Sequence, residues 1–176
     1  MILETPTDIS ADYHHSPKDI MTIIVYNSKT GSSEKYARLL SERTGFDCYS
    51  VKDSYPKDED IVFFGWLRKY TIVGMSKVDV NRVKAVCAVG CDNVDFFNKE
   101  EVVSCNGYSA ETFYLRGWII PEKLNFIERL ILKLVSKKIL KEAGEYADMT
   151  LITAMNKGGD FFDESFIDPV VEFLKG

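Results

Sequence analysis

Hydroxyl side chains crowd around one glycine near the start of the chain: Ser28, Thr30, Ser32 and Ser33 flank Gly31, with Lys29 among them. The residues before them, Ile23, Ile24, Val25 and Tyr26, are β-branched or aromatic and read as a buried strand. A helical pattern follows at once, from Ser33 through Glu34, Lys35, Tyr36 and Ala37. The first turn of a helix leaves backbone N–H groups unpaired and carries partial positive charge. Hydroxyls and a glycine at that point make a cradle for a phosphate. The same serines are favoured as ordinary helix caps, so the motif alone supports either use. A triphosphate loop of the G-x-x-x-x-G-K-[ST] type is missing, and so is the G-x-G-x-x-G dinucleotide fingerprint.

The elements that must hold this turn follow from the hydrophobic pattern. Strand patterns lie at 22–27, 46–51, 61–65, 85–90 and 112–115. Ile61, Val62, Phe63 and Phe64 are apolar on both faces, as in a central parallel strand covered by helices. A helix at 33–43 ends against Gly45, and weaker helical patterns lie at 75–83 and 99–104. This alternation predicts an open α/β sheet. In such sheets ligands bind beyond the carboxyl ends of the strands at a switch point. The hydroxyl-rich turn follows the first strand, where that rule requires it.

The run Ser28-x-Thr30-Gly31-x-Ser33 resembles the phosphate loop of flavodoxins, which hold the monophosphate of FMN. The resemblance implies an open five-stranded parallel sheet of order 2-1-3-4-5 with helices on both faces. It also implies that two further loops hold the isoalloxazine. One is Gly65, Trp66, Leu67, Arg68 and Tyr70 after the third strand; the other is Gly90, Cys91, Asp92 and Asn93 after the fourth. Trp66 and Tyr70 read either as rings stacked on the flavin or as rings packed under the loop. Arg68 reads as a solvated cation, with the N1 and carbonyl edge of the flavin as the other reading. Cys91 stands at the same mouth, as a redox group or as an inert half-buried thiol.

The last third carries more than a flavodoxin core. The fifth strand runs into Arg116-Gly117-Trp118-Ile119-Ile120-Pro121-Glu122-Lys123-Leu124. A long helical pattern then places Leu124, Ile127, Leu130, Ile131, Leu134 and Val135 on one face. Its other face is expected to be basic, with Arg129, Lys133, Lys137, Lys138 and Lys141 and no acid between Arg129 and Leu140. A second helix is expected at 145–155, a break at Gly158-Gly159-Asp160, and a final helix opening at Asp168-Pro169. The phosphate loop, Arg116-Gly117, Leu124, the basic helix and Gly159-Asp160-Phe161 together resemble one flavodoxin-domain family. It is the family that includes the menaquinone-dependent protoporphyrinogen dehydrogenases, and the resemblance spans 21–175. It implies one non-covalent FMN, an extra helical insertion before the last helix, and electron transfer to a quinone at a membrane face. The chain departs from that family at Ser33, where threonine is commoner, and in the loop from Gly65 to Arg68. The segment 124–141 has three readings: peripheral contact with an anionic membrane, a face packed on its own domain, or a homodimer contact.

Composition bounds the rest. The chain has 176 residues, 45% of them hydrophobic, enough for one full core. A net charge of −5 argues against general nucleic-acid binding, which needs a basic face. It suits a carrier that docks on basic partners, and it would disfavour an anionic reduced flavin and lower the potential. Cys48, Cys87, Cys91 and Cys105 show no metal spacing and read as reduced thiols of a cytoplasmic protein. Residues 1–20, with Pro6, Pro17, His14 and His15, read as an N-terminal arm before a domain at 21–176; no secretory signal is expected there. With both histidines in the arm, histidine acid–base catalysis inside the domain is not expected. Two functional classes remain. One is a redox protein using FMN, either an oxidoreductase or a carrier, with a partner protein or a quinone. The other is a flavodoxin-like binding or regulatory module without flavin.

Overall fold

The computed structural model describes residues 21–176, so the arm at 1–20 lies outside the described residues. β1 (Thr22–Asn27) leads into the hydroxyl-rich turn and α1 (Ser32–Thr44). Next come β2 (Cys48–Ser50), β3 (Asp60–Arg68) and the short β4 (Thr71–Val73). Two single-turn 3₁₀ segments, Met75–Lys77 and Val80–Arg82, precede β5 (Val83–Gly90). α2 (Lys99–Asn106), β6 (Glu111–Arg116) and β7 (Trp118–Ile119) follow. The insertion holds α3 (Phe126–Ala143) and α4 (Met149–Lys157), and β8 (Gly159–Asp160) and α5 (Asp168–Lys175) close the chain.

The main sheet has the order β2-β1-β3-β5-β6, all parallel, with β4 attached antiparallel to β3. Counting the parallel strands alone, this is the flavodoxin-like order 2-1-3-4-5. β4 is an addition to it. Strand alternation divides the core into two layers. Ile23, Val25, Ile61, Phe63 and Val86 face Ile72 of β4 and Val102 of α2. Ile24, Val62, Phe64, Cys87 and Val89 face Tyr36, Ala37 and Leu40 of α1 and Val170 of α5. Each large side chain so buried contributes about 1.5–3 kcal/mol of transfer free energy.

Three expectations are corrected. The pattern at 75–83 is not a helix but two 3₁₀ turns. The Asp79 carboxylate accepts the Asn81 N–H at 3.0 Å, a local bond that competes with helical pairing. Residues Gly65 to Arg68 are not a loop but the continuation of β3, because β4 supplies a partner for each of Trp66, Leu67 and Arg68. The hairpin between them turns at Lys69, with φ of 59°. Finally, the apolar face of α3 does not pack on its own domain: Phe126, Ile127 and Leu134 are 73%, 65% and 59% exposed. The stripe turned inward is Glu128, Leu132, Ser136, Ile139 and Ala143, so the face behind the apolar one is not the basic face expected, and Arg129, Lys133, Lys137, Lys138 and Lys141 share the exposed side; Asn156 of α4 donates to Ser136 Oγ at 3.1 Å. No helix among the described residues is long and apolar enough to cross a membrane.

Candidate functional site

The turn after β1 is built by its own side chains. Gly31 donates its N–H to Ser28 Oγ at 3.1 Å, closing the turn. Gly31 itself has φ of 111°, a conformation that L side chains resist. No side chain caps α1. The first-turn N–H groups are therefore left for a ligand or solvent. Ser33 is 1% exposed, and its Oγ has no hydrogen-bond partner. A buried hydroxyl without a partner costs about 1–3 kcal/mol, so it marks a group waiting for an acceptor. These features fit a phosphate monoester. Ser32 is used differently: a Cβ on Gly117 would lie 2.6 Å from Ser32 Oγ, so that hydroxyl faces the Gly117 backbone.

The second wall comes from far along the chain. Gly117 donates its N–H to Gly90 O at 2.7 Å, so the β5–β6 ladder runs on to the point where the chain leaves the sheet. Trp118 Nε1–H then donates to Thr30 O at 2.9 Å, and Lys123 Nζ donates to the same carbonyl at 3.1 Å. A Cβ on Gly31 would stand 3.3 Å from the Trp118 ring. Lys29 is ion-paired with Glu128 in the first turn of α3. That contact, foremost, holds the Glu128 carboxyl below its usual range, and Arg68 adds to the effect. Lys35 caps the Phe162 ring at 3.9 Å. Cations thus gather at the turn, as a phosphate site requires. Nothing in the local sequence pattern marks Lys123 or Glu128 as a site residue, and Trp118 is not among the residues expected there. The one signal was the position of Trp118 directly after Arg116-Gly117.

The two loops expected to hold a ring are treated unequally. Trp66 is half-buried at the carboxyl end of β3, opposite Val73 and Val89. Gly65 pairs with Asn27 and Ala88, and a Cβ there would overlap Ile72. Leu67 and Tyr70 pack on the layer that α2 covers, which is the sheet face opposite α1. Asn106 Nδ2 donates to Tyr70 O at 2.8 Å, and the Glu101 carboxylate pushes the Tyr70 phenol up. Tyr70 is therefore not brought to the turn at 28–31. Arg68 is exposed at the strand end.

At the end of β5 a Cβ on Gly90 would overlap the Tyr114 ring, and the Tyr114 hydroxyl donates to Asp92 O at 3.0 Å. Burial raises the Asp92 carboxyl, with Asp148 adding to it. Burial pushes the Cys91 thiol up to about 12, the inert end of its two readings. Asn93 spends its side chain on the Asp95 N–H at 3.2 Å. Arg116 donates from Nη2 to Cys91 O at 3.3 Å and stacks 4.2 Å from the Phe161 ring, while its Nε is buried without a partner. Beyond Phe161 an open cavity of about 450 Å³ runs along α4 past Thr150, Thr153 and Asp160.

No protein-family model matches the chain, and no curated protein matches it. Among solved structures, it is similar to a candidate flavoprotein from Bacteroides uniformis at 14% identity and a TM-score of 0.39, over 57% of this chain and 92% of that one. A flavodoxin from the domain Archaea matches at 15% identity and a TM-score of 0.36, over 59% and 88% of the two chains. The flavodoxin-like fold rests on the strand order itself.

Proposed function

We propose that the turn at 28–31 and the start of α1 bind the phosphate of FMN, making this a flavodoxin-like redox protein. One observation carries the reading: the uncapped N-terminus of α1 beside Ser33 Oγ, buried and without a partner. Ser33 would donate its hydroxyl to the phosphate, and the first-turn amides would donate alongside it. Lys29 and Lys123 would offset the phosphate charge. Trp66, Gly90, Cys91 and Asp92 stand at the strand ends where a ring attached to that phosphate would lie. When bound, the flavin supplies one- or two-electron transfer. The test is a visible spectrum of the purified protein before and after FMN is added and dialysed. Retained, fluorescence-quenched flavin supports the reading; loss of all flavin sinks it.

The finer proposal is a quinone-linked oxidoreductase of the protoporphyrinogen-dehydrogenase type that docks on an anionic membrane through α3. Its support is the outward face of Phe126, Ile127, Leu130, Ile131 and Leu134 with Arg129, Lys133 and Lys137 along one side. Turnover of protoporphyrinogen with menaquinone tests the chemistry. Flotation with anionic vesicles at low salt tests the docking.

A second reading is a module without flavin. Its support is that Thr30 and Lys29 already have partners within the chain, in Trp118, Lys123 and Glu128. The same spectrum separates the two.

A further inference from the structure

α3 opens with a reciprocal cap. Asn125 Oδ1 accepts the Glu128 N–H at 2.9 Å, and Glu128 Oε2 accepts the Asn125 N–H at 2.9 Å. The other carboxylate oxygen, Oε1, meets Lys29 Nζ across 99 residues of sequence. The two side chains are 32% and 30% exposed, so the pair is only partly screened by water. Before α3 begins, Lys123 and Trp118 of β7 hold the Thr30 carbonyl. The chain therefore delivers one anion, from the N-terminus of its inserted helix, to the cation of its own hydroxyl-rich turn.

We infer that Glu128 is a built-in competitor for the phosphate group. It holds Lys29 while the turn is empty of ligand and yields Lys29 when a phosphate monoester enters. The inference rests on the proposal that the turn takes the phosphate of FMN. A phosphate monoester carries close to two negative charges at neutral pH against one on the carboxylate. It also gains the unspent amides of α1, which Glu128 does not use. Exchange of Lys29 from carboxylate to phosphate removes the ion-pair tether between α3 and the turn. By linkage the coupling is reciprocal: whatever draws α3 away from the turn raises phosphate affinity.

The test is the full-length Glu128→Gln protein, titrated with FMN and separately with inorganic phosphate. Glutamine keeps the cap on Asn125 and removes the charge. FMN affinity is expected to rise about three- to fivefold, the upper part of what a partly exposed ion pair is worth. In a Lys29→Met background the same substitution should change affinity less than about twofold. Hydrogen exchange of the amides at 126–135 should speed up when FMN is added to the wild type and should already be fast in Glu128→Gln. Equal FMN affinity in wild type and Glu128→Gln, or weaker binding by the variant, overturns this inference and leaves the FMN reading standing. Failure of both proteins to take up either ligand overturns the inference together with the reading beneath it.

Discussion

α1 and α3 are both amphipathic, and the less apolar of the two is the one that is buried. α1 has few large apolar residues, yet Tyr36, Ala37 and Leu40 are fully buried against the sheet. α3 carries Phe126, Ile127, Leu130, Ile131, Leu134 and Val135, and every one is exposed; among its residues only Ser136 is buried. The difference lies in the connections. α1 starts five residues after β1 ends and has nowhere to lie but across the sheet. α3 follows β7, after the chain has crossed the carboxyl edge of the sheet, and packs mainly on α4, touching the turn after β1 through Glu128. An apolar face is a demand for burial, and topology decides whether this chain itself can meet it.

The largest test of that contrast is Tyr36→Ala. Tyr36 is fully buried, and its hydroxyl bonds Arg116 O at 2.7 Å and Asp163 O at 3.0 Å. The substitution should cost about 3–5 kcal/mol in urea unfolding. Leu134→Ala should stay within about 0.5 kcal/mol. Equal losses would break the comparison.

Thiol labelling gives the next largest effect. Cys105 is exposed, and Cys87 and Cys91 lie in the core and at the site edge. With the Cys91 thiol pushed up to about 12, its thiolate fraction at any pH below that value is far smaller than that of an ordinary thiol. At pH 8 iodoacetamide should label Cys105 first and leave Cys87 and Cys91 unmodified over hours, read by peptide mass. Labelling of Cys91 at the rate of Cys105 would mean an open site edge.

Ser33→Ala is expected to separate binding from stability. FMN affinity should fall about tenfold, the worth of a hydrogen bond to a charged group. The protein without ligand should become more stable by about 0.5–1 kcal/mol, because a buried hydroxyl without a partner is removed. A loss of both would make Ser33 an ordinary structural cap.

The smallest stability effect is expected for Leu130→Ser with Leu134→Ser in α3. Their unfolding midpoint should barely move, since both sites are exposed, while flotation with anionic vesicles should be lost. Unchanged flotation would take α3 out of the membrane proposal and leave its apolar face to another copy or a partner protein.

Much of this was legible in the residues alone. β-branched and aromatic residues marked β1, the doubly apolar run at 61–64 marked β3, and the strands expected at 46–51, 85–90 and 112–115 overlap β2, β5 and β6; the hydroxyls around Gly31 marked the end of β1. The Asp168-Pro169 pair opens α5 at the expected place. The failures have local causes. Trp66 to Arg68 read as a loop because their strand pairing depends on β4, a three-residue partner too short to show a period. The position of Tyr70 after a strand is visible in the sequence, whereas the Asn106 bond that ties its backbone to α2 is not.

What the sequence by itself determined is the set of short-range features: the strand–turn–helix, the alternation that splits the core into two layers, and the apolar and basic pattern of α3. These follow from neighbours along the chain, where periodicity and turn chemistry act. Only the tertiary structure decided what stands opposite the turn. Trp118, Lys123 and Glu128 reach Thr30 and Lys29 across 88, 93 and 99 residues. No local rule encodes such a meeting, because it exists only once the sheet has ordered its strands and sent the chain back across their ends.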